Sequence, residues 1–483
     1  MTVTSFNLVT KAPKLGVRHL QVFFLFSCGA LAVHQRMNLS VGIVAMTNAN
    51  SSNPNYPEYT FTEQQKSYIL GSQFWGSCFT QLVGGYLSSR YGTKILLLCI
   101  SLITSLLSLA TPWSVSWGGW QLLCGVRFLQ GLAMGGSWPC FYTHLAKWCP
   151  KAERNRLGGI MQTGLDIGTA IGFALSGVLA ASPLGWPSIF YVPGFLGLLW
   201  CLLWLRYGAS SPSKSPFISA VELKYIELAQ EQEHSHASTA PPVPWLQIFT
   251  SRPYLVLAFC KMSQAFNFYT LMQQIPRYIH GIFRYNIQMN ALLSALPFVV
   301  MCLMSYFFVF LADYLTRRCN IPLVVLRKTI NSLASLIPAV ALVALCFVRS
   351  ENVLGSISCM TIAVAAIAGQ AIGSSLNHID LSPNFAGLLF SISNTLMSLA
   401  GVISPLIIGL TVENESDRSQ WRLVFLGIAL ILFVGNLLYL IFGRMTVQPW
   451  NGPSKHEDSS QEPRNASQSQ AQFNQSVEKF TYF

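Results

Sequence analysis

The chain has 483 residues, of which 52% are hydrophobic and only 10% charged, and its formal net charge is +12. Soluble domains carry about a quarter charged residues, so this composition excludes an ordinary water-soluble globule and points to a bilayer. The positive balance does not indicate nucleic acid either, because the basic residues stand in short clusters between apolar runs and form no single patch.

A helix needs around 20 apolar residues to cross about 30 Å of hydrocarbon. Twelve such windows follow one another near 19–47, 66–89, 94–112, 119–146, 157–181, 187–206, 253–275, 287–312, 328–348, 353–376, 384–411 and 421–443. They predict an all-α membrane protein built from two six-helix bundles, 19–206 and 253–443. A cytoplasmic N-terminus (1–18), a cytoplasmic central loop with a short helix (207–252) and a disordered cytoplasmic tail (444–483) complete the expected organisation. The first run is too long for a cleavable signal peptide and should remain as an anchor. Lys11, Lys14 and Arg18, then Arg90 and Lys94, then Lys147, Lys151, Arg154 and Arg156, then Arg317, Arg318, Arg327 and Lys328 fall in alternate connections. The positive-inside tendency places those connections and both termini in the cytoplasm. The opposite loops hold glycosylation sequons at Asn50 and Asn414, whereas those at Asn465 and Asn474 would face the cytoplasm unused.

In chain order, the first span contains Arg36 in "HQRMNLSVGIVAMT". An arginine at the centre of a span costs about 2.5–3.5 kcal/mol on insertion scales, so it faces a wet cavity or a partner. Gly29, Ser40 and Thr47 lie at i−7, i+4 and i+11 from it, a narrow small and polar stripe along which a guanidinium stays hydrated. An internal ion pair is the alternative. The fourth span repeats the pattern at Arg127 in "GVRFLQGLAMGGSWP", where Gly131 and Gly135 leave room for a solute or let a neighbouring helix approach. Two guanidiniums suit a planar anion, since each offers paired N–H donors. Arg127 can equally be a counter-charge to another helix.

Asp166, in "TGLDIGTAIG" of the fifth span, lies nearly opposite a small-residue ridge of Gly164, Gly168 and Gly172 that reads as a packing face. It either faces the cavity as an ion or proton site or bonds to a neighbouring backbone. In the central loop, Ser219 and Glu222 have capping-box spacing at the start of a short helix, and "SHASTAPPVPW" reads as a linker. The seventh span offers Lys261 as an ion-coupling candidate. Gln264, Asn267 and Tyr269, with Gln73 in the second span, are solute contacts or interhelical hydrogen bonds. In "GSSLNHIDLSPNFAG", Asn377, His378 and Asp380 either exchange a proton or order the turn between the tenth and eleventh spans. The twelve cysteines lie mostly within predicted helices and read as small apolar fillers, with no disulfide framework.

The segments "GGYLSSRYGTK" after the second span and "FVFLADYLTRR" after the eighth occupy corresponding places in the two halves. A twelve-helix chain with this repeat resembles the major facilitator superfamily, whose loop signature is matched by Gly85, Arg90, Gly92 and Lys94, with Ser89 where an aspartate is usual. Seven further segments in order, "RMNLSVGIVAM", "GSQFWGSCFTQLVGGYLSSRYGTK", "KWCPKAERNRL", "NFYTLMQQIPRYI", "LRKTINSLASLIPA", "NHIDLSPNFAGLLFSISNT" and "QPWN", resemble the anion:cation symporters of solute carrier family 17. The resemblance implies the major facilitator fold, a midplane site served by alternating access, and Arg36 and Arg127 on the anion path. It also implies a conformational gate in the loop holding Glu153, Arg154 and Arg156, with Arg90, Lys94 and Asp313 as further loop candidates. Three positions depart from vesicular and lysosomal members: Met134 stands where they carry a glutamate, Gln264 at an arginine position and Leu70 at a histidine position.

The expected function is therefore a symporter of inorganic phosphate or small organic anions, driven by Na+ or H+, in the plasma membrane rather than a lysosomal or vesicular one. The expected partners are a small anionic solute and the lipid bilayer, not nucleic acid, and a monomer suffices. No cofactor or metal beyond the transported ion is implied. No nucleophile-base set, metal-ligand spacing or phosphate-binding loop suggests an enzyme, so no catalytic residue is assigned. The alternatives are an uncoupled anion uniporter or channel, in which loss of the carboxylate at Met134 has removed coupling, and a non-transporting anion sensor.

Overall fold

Helix boundaries follow local chemistry throughout the computed structural model, which describes residues 15–234, 243–319, 321–349 and 351–452. Lys11, Lys14, most of the expected linker, Asn465 and Asn474 lie outside the described residues. The first half contains α1 (Val17–Thr47), α2 (Glu63–Tyr91), α3 (Thr93–Met134), α4 (Ser137–Trp148), α5 (Lys151–Ala181) and α6 (Ser188–Tyr207). Two short helices follow, α7 (Ala220–His234) and α8 (Trp245–Thr250). The second half contains α9 (Arg252–Phe283), α10 (Ile287–Arg317), α11 (Leu323–Phe347), α12 (Val353–Ala365), α13 (Asn377–Leu381), α14 (Ala386–Thr411) and α15 (Arg418–Phe442). Thr62 and Gln65 cap α2 reciprocally, with bonds of 3.2 and 3.0 Å. Gly92, at φ +84°, turns the chain into α3, a conformation that suits glycine in the loop motif.

Among the described residues, nine helical stretches are long and apolar enough to cross a bilayer, and Thr93–Trp148 is long enough to cross twice. Helices α2 and α9 supply the remaining two of the twelve expected spans. They are more polar, burying Gln73 and Gln81 on α2 and Lys261, Gln264 and Asn267 on α9, and Gln81 accepts from Ser398 Oγ of the other half at 2.7 Å. The third and fourth spans form one continuous run that reverses at Gly119, φ +58°, and the fourth breaks after Met134. The tenth span is α12 and α13 joined through a 3-10 turn and a π turn, Ala371–Ser375.

The glycine ridge of α5 packs on α1: a Cβ at Gly164 would meet the Phe26 carbonyl oxygen at 2.4 Å, and one at Gly168 would meet Ala30 Cα at 2.5 Å. The halves meet chiefly through α2 against α14 and α5 against α10. The bundle's terminal end carries Val17 and Phe442, and its distal end carries Thr47 and Glu63.

Two local expectations change. Glu222 forms only half of the predicted capping box, its N–H donating to Ser219 Oγ at 3.2 Å. Its carboxylate instead accepts from the Val17 and Arg18 N–H groups at 2.9 and 3.1 Å and from the Arg18 guanidinium at 3.1 Å. Orphan donors at a helix start beside a cation hold a buried carboxylate better than one backbone N–H does. The second change concerns residues 448–451, assigned from sequence to the disordered tail. The Gln448 N–H donates to the Leu381 carbonyl at 2.9 Å, and Asn451 accepts from Ser382 Oγ at 2.6 Å and from Asn384 Nδ2 at 2.8 Å. The "QPWN" segment thus clamps the turn between α13 and α14.

Candidate functional site

Arg36 projects from α1 toward the other half. Its guanidinium lies 5.2 Å from the centroid of Phe74 on α2, and that ring meets Tyr269 of α9 edge-on at 4.8 Å. Nε of Arg36 is buried with no hydrogen-bond partner among the described residues. The Phe74 face offsets part of the cost of burying the cation, by about 0.5–2 kcal/mol. Gly29, expected to keep the guanidinium wet, is occupied differently: the α1–α5 seam sets Leu165 3.2 Å from the position of its missing Cβ.

Arg127 is not brought to the same place. It is 1% exposed inside the first half. Nη1 donates to the Gln35 carbonyl at 2.9 Å and to Gln130 Oε1 at 3.0 Å, and Nη2 donates to Asn38 Oδ1 at 3.2 Å. Asn38 in turn donates to the Ile189 carbonyl of α6 at 3.1 Å. Protein acceptors thus take both Nη groups of Arg127 and tie α3 to α1, while its Nε is buried with no partner among the described residues and the Phe190 ring lies 5.2 Å from the guanidinium. Gly131 serves the close approach of α2, since a Cβ there would meet the Gln73 carbonyl oxygen at 2.0 Å. Gln73 Nε2 meets Met134 Sδ at 2.9 Å, so the residue at the family's glutamate position packs against it.

In the second half, Gln264 is likewise engaged internally, donating to Asn331 Oδ1 and Ser335 Oγ at 2.9 and 3.0 Å and accepting from Ser374 Oγ at 3.0 Å. It is a packing hub rather than a free solute contact. Asn267 is fully buried, and neither amide atom has a partner among the described residues. It and Tyr269 remain the polar candidates of α9. Lys261 is buried and donates to Ser375 Oγ at 2.8 Å. His378 donates from Nδ1 to the Ser375 carbonyl at 2.8 Å and meets Ser393 Oγ through Nε2 at 2.9 Å. Asp380 pairs instead with Arg327 at 2.9 Å, so it has its own partner and orders the turn. Asp166 lies beside Gln162 and faces Cys302 of α10 across the halves.

The loop candidates gather at the terminal end. Glu153 pairs with Arg18 at 2.8 Å, Arg90 donates to Tyr86 Oη at 2.8 Å, Lys94 to the Leu205 carbonyl at 3.0 Å and Arg154 to the Ala146 carbonyl at 3.3 Å. Arg156 and Asp313 are exposed there. Asn50 and Asn414 are exposed at the opposite, distal end.

Four functional candidates at the distal end were missed from sequence: Glu63, Lys66, Arg277 and Glu415. Lys66 bridges Glu63 at 2.7 Å and Glu415 at 2.9 Å, while Arg277 bridges Glu415 at 2.9 Å and also Glu63. Burial opposes ionisation of Glu415, but Arg277 and Lys66 outweigh it and hold its carboxyl down at about 2. For Glu63 burial prevails and the pKa is raised. Beside the ring a recess of about 570 Å³ opens, lined by Asn48, His280 and Arg284 among others. There Asn48 Nδ2 meets His280 Nε2 at 3.2 Å. The Glu63–Lys66 spacing was the only sequence signal, since their partners lie more than 200 residues away.

Residues 39–405 match the Major Facilitator Superfamily. The chain is 34% identical over 470 residues to the "Putative inorganic phosphate cotransporter" of Drosophila melanogaster, covering 92% of this chain and 88% of that protein. It is 31% identical to sialin of Homo sapiens, over 86% of this chain and 87% of sialin. It is also 31% identical to vesicular glutamate transporter 2 of Homo sapiens, over 88% of this chain and 73% of that protein. Among solved structures, a bacterial homolog to the human lysosomal transporter Spinster has a TM-score of 0.68 at 15% identity, covering 90% of this chain and 99% of that one. A D-xylose-proton symporter has a TM-score of 0.66 at 16% identity, over 88% and 97% respectively. These two likenesses carry the fold alone. Fold and relatives together define a multi-pass membrane transporter, and the relatives are transporters, not enzymes. The chain belongs to the major facilitator superfamily and, within it, to the anion:cation symporters of solute carrier family 17.

Proposed function

We propose that the protein is a secondary active symporter that carries inorganic phosphate or a small organic anion, coupled to Na+ or H+, by alternating access of its two halves. The observation that carries this reading is Arg36, a guanidinium at the meeting of the halves with no hydrogen-bond acceptor among the described residues. A cation so placed inside a bilayer calls for an anion, and a bound anion lowers the cost of closing the halves over it. Asn267 and Tyr269 supply neutral contacts, and Arg127 holds α1 so that Arg36 keeps its place. Asp166, at the α5–α10 seam, is the carboxylate best placed for a coupling cation, and Lys261 and His378 form a second polar group in the other half. The name of the Drosophila relative supports phosphate as the first solute to try.

The basic connections at the terminal end support a cytoplasmic location for it, with Asn50 and Asn414 exofacial and glycosylated at the plasma membrane. The ion ring closes the exofacial end in the state described, and the terminal-end loops of Arg90, Lys94, Glu153, Arg154, Arg156 and Asp313 serve the cytoplasmic gate. A monomer suffices.

The test is uptake of labelled phosphate, glutamate, sialic acid and urate into proteoliposomes under a Na+ gradient, a pH gradient or neither. Accumulation of one anion under one gradient only is the expected result and names the driving ion. Flux indifferent to both gradients would replace the symporter with a uniporter.

A further inference from the structure

The ring at the exofacial end is drawn two residues from each half: Glu63 and Lys66 from α2, Arg277 from α9 and Glu415 from the connection between α14 and α15. Its contacts alternate. Lys66–Glu63 at 2.7 Å and Arg277–Glu415 at 2.9 Å lie within a half, whereas Lys66–Glu415 at 2.9 Å and Arg277–Glu63 cross between halves. The Arg277 side chain is fully buried, and those of Glu63 and Glu415 are each 15% exposed. A buried ion stripped of its partner is strongly destabilising. A latch made of one crossing pair would therefore leave an orphan charge on each half whenever it opened.

We propose that this ring is the exofacial gate and that it opens by dividing into two neutral pairs, Glu63–Lys66 on one half and Arg277–Glu415 on the other. Separation breaks the two crossing contacts, yet every charge keeps an opposite partner and each half keeps zero net charge at the ring. The in-half contacts thus lower the barrier to opening. This inference rests on the alternating-access reading, to which it adds the gate and its manner of opening. At the cytoplasmic end, Arg18–Glu153, Arg18–Glu222 and Arg327–Asp380 join partners within one half or between a half and the central loop. Those pairs need not break when the halves move.

Ser67 reports the opening. It is fully buried, and a Cβ at Gly409 of α14 would stand 2.5 Å from its Oγ, so the seam covers it only while the exofacial end is closed. The experiment labels full-length Ser67→Cys protein in oriented vesicles with a membrane-impermeant methanethiosulfonate added from the exofacial side. In that background Lys66→Gln with Glu415→Gln leaves Arg277–Glu63 as the lone crossing pair. Opening must then orphan two charges, and labelling is expected to slow by about threefold or more. Faster labelling would overturn the proposal, because a latch that merely sums its contacts is weakened by losing some. Unchanged labelling would overturn it equally.

A second pair of variants guards against misfolding. Glu63→Lys with Lys66→Glu keeps the neutral pair on α2 but sets like charges across the seam. Labelling should accelerate about tenfold, equivalent to about 1.4 kcal/mol between the two states. Adding Arg277→Glu and Glu415→Lys restores all four contacts with inverted sign and should return labelling to near the parental rate. Failure of that return would contradict the gate. Labelling needs no solute, so its outcome is separate from that of the uptake assay.

Discussion

The seam around Arg36 and the interior around Arg127 present the same sequence problem, a lone guanidinium among small residues in a spanning helix, and solve it in opposite ways. Around Arg127 the protein supplies the acceptors: a carbonyl of α1, Asn38 and Gln130. Around Arg36 no such acceptor is found among the described residues, although both guanidiniums lie 5.2 Å from an aromatic ring, Phe74 or Phe190, and both have a buried Nε without a partner there. A cation whose outer nitrogens bond to protein acceptors ties helices together, whereas one whose outer nitrogens meet none keeps binding capacity in reserve. On the proposed reading, the difference separates a residue that braces the transporter from one expected to meet its cargo.

The largest effect should come from Arg127→Ala. It strands Asn38 Oδ1 and Gln130 Oε1 and unties α3 from α1, so a loss of about 1–3 kcal/mol for each stranded acceptor is expected. Melting in detergent and the yield of folded protein would show it. A parental melting temperature would erase the contrast between the two arginines. Next comes a change within the α1–α5 seam that positions Arg36. Gly168→Val pushes a side chain into Ala30, whose Cα stands 2.5 Å from the added Cβ. A cost of about 1–3 kcal/mol from overpacking should appear as a lower melting temperature.

Arg36→Ala should instead leave melting within about 1 kcal/mol of the parent, while uptake falls. Arg36→Lys sharpens the point, because an ammonium keeps the charge but loses the planar fork. It is expected to raise the KM for the anion more than it lowers the maximal rate.

The smallest effect concerns pH. Burial at the distal end lowers the pKa of His280 below its ordinary 6.5, so the neutral form belongs to the state described. Its contribution to closure is complete above the ordinary value and fades as pH falls toward the depressed one. Glu63, with a raised pKa, acts in the other direction, and Glu415, held at about 2, stays ionised. Labelling of Ser67→Cys on acidification from about pH 7.5 to about 5.5 should rise more in the parent than in His280→Gln. Equal responses would remove His280 from the gate.

Hydrophobic run length made most of the spans legible, nine stretches among the described residues being long and apolar enough, and the glycine spacing on α5 correctly announced a packing ridge. Both arginines were visible as anomalies, but their roles were not. Whether Asn38 turns toward Arg127 depends on the rotation of α1 against α3, which no local pattern encodes. Gln264 stayed open between a solute contact and an interhelical bond for the same reason, since its partners Asn331, Ser335 and Ser374 come from elements far along the chain. The ring escaped because each of its charges sits near a helix end, where a lone ion in water is unremarkable. Only tertiary contact shows that Arg277 is buried and that Glu415 turns inward beside the exposed Asn414.

The most direct test of the central claim is anion uptake, per folded protein, by Arg36→Ala in the proteoliposome assay that identifies the solute. A protein that melts like the parent and transports at no more than about a tenth of its rate is the predicted result. Parental transport by folded Arg36→Ala would contradict the account, because the guanidinium at the seam would then have no part in carrying the anion.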